Sequence, residues 1–99
     1  MDYLPVAHIR ALQTVLYVGA SWTDAKVGTT RLESRKWLHL FNRSSAKLFF
    51  SYDNTVSSEA CFAIKAGGVL ILPLSEHVPL YLKRSQASGS QKVIVGEVS

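Results

Sequence analysis

Three histidines, seven carboxylates and one cysteine are the groups in this sequence best suited to hold a metal or move a proton. Their spacing assembles no familiar chemistry. His8, His39 and His77 lie far apart; none stands four residues from another or beside a cysteine–carboxylate cluster, as a compact metal site requires. His39 alternates with Trp37 and Phe41 and reads as a packed strand residue, while His77 follows Glu76 in a turn and reads as a solvated neighbour. The acids Asp2, Asp24, Glu33, Asp53, Glu59, Glu76 and Glu97 are scattered and fall mostly at turns. A glycosidase needs two carboxyls at a fixed separation, and so short a chain has no insertion to build a cleft around them. The glycines form neither a G-x-G-x-x-G nor a P-loop, and no serine stands in a G-x-S-x-G elbow. Cys61 has no second cysteine to pair with. Its alternating neighbours suggest a small buried hydrophobe, and no local signature marks a base that would activate it as a nucleophile. The expectation is a non-enzyme with no cofactor and no metal.

The remaining candidates are aromatic and basic. Net charge is +4, from eleven basic and seven acidic residues, which favours acidic partners only weakly. The basic residues are dispersed, densest at Arg31, Arg35, Lys36 and Arg43 and again at Lys83 and Arg84. A nucleic-acid binder usually shows a stripe or dense patch instead. The aromatics could form a stacking platform for single-stranded nucleic acid on a small β-barrel. However, Phe41, Phe50 and Phe62 fit a core better, leaving Trp22 and Phe49 for the surface. Exposed aromatics among arginines also mark protein–protein hot spots. That reading ranks first, with Trp22, Arg31, Arg35, Trp37, Arg43 and Phe49 as the candidate partner-binding residues.

The elements that must position these side chains read as strands. Ninety-nine residues suffice for one domain. In 8–18 a helical face (Ile9, Leu12, Val15, Leu16) competes with a run of strand formers, Thr14, Val15, Tyr17 and Val18, closed by Gly19; strand is preferred. Residues 21–30 read as a polar loop or extended arm with a short strand near Val27. Segment 36–42 is a strand with Trp37, His39 and Phe41 on one face and Leu38 and Leu40 on the other. Both faces are apolar, so one is expected to meet the core and the other a second chain or an arm. A hairpin-like connection at 43–47 leads to a strand at 48–52. Another follows at 60–65, with Phe62 and Ile64 inward. Gly67 and Gly68 turn the chain into 69–74, expected to be a buried central strand with Pro73 at its end. A short strand at 80–83, a mobile tip at 85–90 and a last strand at 91–98 complete the pattern. Six to eight strands separated by turn residues predict an all-β antiparallel sandwich or small barrel. Residues 1–30 would be an N-terminal arm and first strand, and 31–99 the sandwich core. No run approaches the ~20 apolar residues of a membrane helix. The first residues lack the parts of a secretory signal, so synthesis and retention in a cytoplasm, or packaging from one, is expected.

Segment 35–97 also resembles a recurrent type of small tailed-bacteriophage virion protein. The matching features are Arg35, the strand Trp37-Leu38-His39-Leu40-Phe41-Asn42, the Val56-Ser57-Ser58 stretch and the Ile64-Lys65-Ala66-Gly67 turn. The Leu80-Tyr81 pair, Ser88-Gly89-Ser90 and the closing Val93-Ile94-Val95-Gly96-Glu97 follow. The resemblance covers about two-thirds of the chain and is a pattern of strands and turns. It implies a capsid-decorating or head–tail subunit that binds other phage structural proteins, often as an oligomer, in a virion assembled in the host cytoplasm. It carries over no catalytic residue.

Overall fold

The structure, a computed structural model, describes residues 10–99; of the segment 1–30 expected to form an N-terminal arm and first strand, residues 1–9 lie outside them. Eight strands form two antiparallel four-stranded sheets: β1 (Ala11–Val18), β2 (Thr23–Asp24), β3 (Trp37–Asn42), β4 (Leu48–Ser51), β5 (Phe62–Ile64), β6 (Val69–Pro73), β7 (Tyr81–Arg84) and β8 (Gln91–Val98). The first sheet has the order β1-β8-β3-β6 and the second β2-β7-β4-β5. The all-β class predicted from the alternation is the observed one. Segment 11–18 is strand throughout, so β-branched and aromatic preference prevails over the helical face.

The core follows from period-two alternation on the central strands. Leu38 and Leu40 of β3 and Val93 and Val95 of β8 point inward from the first sheet. They meet Leu48, Ile64 and Leu82 of the second, all buried. Each such side chain contributes roughly 1.5–3 kcal/mol by leaving water. Almost every connection crosses between the sheets, and only β4 and β5 are sequential neighbours within one. The predicted hairpin at 43–47 is therefore a corner, with β3 and β4 in different sheets.

Several expectations are corrected. The apolar run at 69–74 is not a central strand: β6 is the edge of the first sheet, with Val69 61% and Ile71 54% exposed. Val69 and Ile71 belong to an outer face, which composition alone cannot distinguish from a core, while Leu70 and Leu72 pack against the core. Phe62 is exposed rather than inward, because the short edge strand β5 leaves its ring stacked on Phe50 at 5.3 Å with nothing above it. Phe41 lies on the outer face of β3, half-buried among its neighbours. The short strand expected near Val27 is β2, a few residues earlier. Strands β1 and β2, within the segment 1–30 expected to hold an arm and the first strand, are hydrogen-bonded to β8 and β7.

The glycine turn behaves as chemistry requires. Gly67 has φ +73°, open to glycine at no steric cost. A Cβ on Gly68 would meet the Lys65 carbonyl oxygen at 2.9 Å. At 53–55 the Asp53 carboxylate accepts hydrogen bonds from the Thr55 amide (2.8 Å) and hydroxyl (2.7 Å). These bonds hold the Asp53 carboxyl below its ordinary range. A depressed folded value stabilises the turn above the unfolded carboxylate range, near 3.9, and that contribution fades as pH falls through the folded value. An NMR titration should accordingly give Asp53 a midpoint below that of a model aspartate, and Thr55→Ala should raise it.

Candidate functional site

Two polar clusters close opposite ends of the sandwich, and between them one sheet face is left bare by the described residues. At the first end Arg35 and Glu97 form an ion pair of 2.9 Å, both side chains fully enclosed. Glu97 reaches the interior because it shares the inward face of β8 with Gln91, Val93 and Val95. Its Oε1 accepts from the Val27 amide at 2.7 Å and its Oε2 from the Leu32 amide at 3.0 Å. Arg35 uses all five of its N–H donors. Nε donates to the Leu74 carbonyl, Nη1 to that of Ala25 and to Glu97, and Nη2 to those of Ser75 and Val78. Arg35, taken from sequence as a partner-binding residue, is thus withdrawn from any partner and pins the 25–35 loop to the 74–78 turn.

At the other end Asn42 and Gln91 are fully buried. The Asn42 amide donates to the carbonyls of Ala46, Ile64 and Lys65 at 2.9–3.1 Å. Gln91 Nε2 donates to Ser44 Oγ at 2.7 Å, and that hydroxyl donates to Asn42 Oδ1 at 2.6 Å. Among the described residues no buried side-chain nitrogen or oxygen lacks a partner. Nor do any three His, Cys, Asp or Glu side chains gather as a metal set would.

The other candidates fall on three surfaces. Arg31 pairs with Asp24 at 3.0 Å and donates to the Glu76 carbonyl, across a polar recess of about 390 Å³ near the Arg35 end. Trp22 and Phe49 lie on the second sheet's side. The Trp22 indole donates to the Val56 carbonyl at 3.2 Å, and Lys83 sits over its ring at 5.5 Å. Lys47 covers Phe49 at 5.5 Å. Trp37 and Arg43 belong to the outer face of the first sheet, where Arg43 lies 5.2 Å from the Phe41 ring centroid. The structure therefore gathers these candidates in two pairs: Trp37 and Arg43 on the first sheet's outer face, joined through Phe41, and Trp22 and Phe49 on the second sheet's side, joined through Lys83.

That face is ordered in rows set by the strand register. The first row runs Ala11–Val98–Trp37–Pro73, the second Gln13–Gly96–His39–Ile71, the third Val15–Ile94–Phe41–Val69, and Tyr17 pairs with Lys92 in a fourth. Exposure is high for a β face: Trp37 43%, Val15 43%, Tyr17 64%. Gly96 contributes no side chain, so the second row dips at β8, between Val98 and Ile94. A recess of about 200 Å³ opens there, lined by Gln13, His39, Phe41, Ile71, Ile94 and Gly96. Sequence reasoning found the β3 part of this face through alternation. It missed β6 by placing that strand inside.

Among the described residues, the fold and face define a two-sheet antiparallel β-sandwich with polar-locked ends and one uncovered apolar sheet surface. No family model, curated protein or solved structure matches the chain. Among the described residues no helix is long and apolar enough to cross a membrane.

Proposed function

We propose that this chain is a structural protein of a tailed-bacteriophage virion, binding other phage subunits as a capsid decoration or head–tail component. The observation that carries the reading is the uncovered outer face of the first sheet. Large apolar side chains from all four strands are presented there on a sandwich whose buried polar groups are satisfied internally. Contiguous apolar patches of this kind mark interaction surfaces, and aromatic anchors beside an arginine suit the centre of one. The strand-and-turn resemblance of 35–97 to virion proteins supplies the class of partner. Repeated copies on one particle would multiply weak contacts by avidity. The host cytoplasm is the place of assembly under this reading, and no membrane is involved.

The direct test is a labelled copy, expressed during infection and located on purified particles by electron microscopy. Recovery at symmetric positions supports the reading; absence from particles, with no virion protein retained on the tagged chain, overturns it. Trp37→Ala sharpens the test. At 43% exposure the ring is not a core residue, so the variant should lose roughly 1–2 kcal/mol rather than the ~3–5 of a core aromatic. Melting of the isolated chain should therefore move little while incorporation into particles falls.

A second reading, a small β-protein binding single-stranded nucleic acid, draws on Trp22 and Phe49 beside Lys47 and Lys83. Here the ammonium groups already occupy the ring faces that a base would stack on, which favours the first reading. Salt-sensitive oligonucleotide binding at ~50 mM salt would reverse that preference.

A further inference from the structure

We propose that the free edge of β1 pairs antiparallel with the β1 edge of a second copy of this chain, joining the two first sheets into one continuous sheet across a two-fold axis at Thr14. The pairing leaves the outer face of that sheet open and does not rest on the virion reading.

The fold blunts three of its four sheet edges. β2 and β5 have only two and three residues, and β6 ends at Pro73, which has no N–H to offer. β1 is the exception: eight residues, Ala-Leu-Gln-Thr-Val-Leu-Tyr-Val, with no charge, proline or glycine. The ladder fixes which way its backbone groups point. The amides of Lys36 and Arg43 donate to the carbonyls of Val98 and Lys92, and the Ser99 amide to that of Arg10. Alternation then turns Val98, Gly96, Ile94 and Lys92 toward β3, and the β8 residues between them toward β1. Leu12, Thr14, Leu16 and Val18 therefore bond to β8, while the amides and carbonyls of Ala11, Gln13, Val15 and Tyr17 point away from the sheet. No described residue bonds to them. The Arg84 amide donates to the Gly19 carbonyl at 3.0 Å, which closes the edge past Val18 and leaves 11–17 as the free run.

Donors and acceptors alternating along such an edge are matched by an extended polypeptide. The residues of the run select a second copy. Thr14 is its midpoint, and a two-fold axis there pairs Ala11 with Tyr17 and Gln13 with Val15 of the second copy, each twice by symmetry. About eight backbone hydrogen bonds result. On the outer side the Tyr17 ring lies beside the small Ala11 side chain. On the inner side Leu12 meets the second copy's Leu16, and the two Thr14 side chains meet each other, both of them cross-strand pairs that stabilise a sheet. Leu12 lacks such a neighbour within the chain. It shares the inner side of β1 with the fully buried Val18, yet it is 38% exposed, beside a recess of about 290 Å³ that reaches to the 28–33 loop.

Closure sets the stoichiometry. A two-fold pairing occupies both β1 edges and leaves a β6 edge at each end of the joined sheet, where Pro73 withholds a donor and disfavours further addition. The free run spans about 24 Å at ~3.4 Å per residue. Such a strip is smaller than a standard stable interface, so the dimer should be weak and reversible.

Sedimentation equilibrium of the full chain, from about 1 to 500 µM, should show a monomer–dimer equilibrium. Gln13→Pro removes one outward donor at an edge position open to proline while sparing the β1–β8 ladder, and should raise the dissociation constant at least tenfold. Ile71→Pro removes an outward donor from the opposite edge, β6, and should leave it unchanged. Cross-linking gives an arm that does not depend on Gln13→Pro folding. The two Thr14 residues would form a non-hydrogen-bonded pair with Cα atoms about 4.5 Å apart, within disulfide reach. In a Cys61→Ser background oxidised with diamide, Thr14→Cys should link two copies at least tenfold faster than Tyr17→Cys. Tyr17 is the more exposed of the two, but the axis holds its two copies far apart. A chain that is monomeric throughout the range, a dimer indifferent to folded Gln13→Pro, or Tyr17→Cys linking as fast as Thr14→Cys overturns the pairing. Particle incorporation separates it from the virion reading: a monomer that still decorates particles sinks only the pairing, and a dimer never found on particles sinks only the virion role.

Discussion

Glu97→Ala is expected to remove about 3–5 kcal/mol of stability, because it strands a buried guanidinium without its counter-charge. Domains of this size hold about 5–15 kcal/mol in total, so the variant should be marginal at room temperature. Urea denaturation followed by circular dichroism would show a much lower midpoint. Glu97→Gln keeps the shape and one acceptor but leaves Arg35 charged and unpaired, so it should sit nearer the alanine variant than the wild type. The most instructive protein is the double variant Arg35→Met/Glu97→Leu. Replacing a buried ion pair by apolar residues is often neutral or stabilising. Here it should not be, because the pair also serves six backbone groups. The amides of Val27 and Leu32 and the carbonyls of Ala25, Leu74, Ser75 and Val78 would all lose partners. A double variant as stable as wild type would show that water replaces those bonds and that the pair is not the lock of this end.

The alternation that made the strands legible also contained the lock, unread. Gln91, Val93, Val95 and Glu97 occupy one face of β8, and an acid in register with two buried valines signals a buried carboxylate in need of a cation. Arg35 could not be chosen as its partner from sequence, since Arg31, Lys36 and Arg43 were equally near; only the antiparallel pairing of β3 with β8, which sets Leu38 opposite Glu97, selects it. The Trp37–Phe41 face was legible for the opposite reason, because a strand apolar on both sides must either be sandwiched or present a surface. The same logic failed for 69–74. Val69 and Ile71 are as apolar as any core pair, and edge or centre is decided by which strands hydrogen-bond, a long-range matter invisible in a local window. Phe62 fell to the same limit, being inward by period and exposed because β5 has no further neighbour.

The second large effect is expected at the opposite end of the sandwich. Asn42→Ala should cost about 3 kcal/mol, since it removes the donors serving three carbonyls and the acceptor for Ser44 in a site closed to water. The loss should exceed that of one hydrogen bond because the Gln91–Ser44–Asn42 chain is cooperative, and because the bonds hold two sheet-crossing corners, 43–47 and 65–68, to the end of β3. Asn42→Asp separates donor loss from shape loss. It preserves the outline but turns a negative oxygen toward the carbonyls of Ile64 and Lys65, so at neutral pH it should be at least as destabilised as the alanine variant. Its new carboxyl would have a folded pKa raised by burial and by those carbonyls. A raised value means the folded state binds the proton more tightly, so stability relative to wild type should recover as pH falls and be lost as pH rises through that value. Denaturant midpoints of the three proteins at pH 4.5 and 7.5 would reveal the crossover. An aspartate variant with wild-type stability at pH 7.5 would mean that the Asn42 donors do not hold the corners.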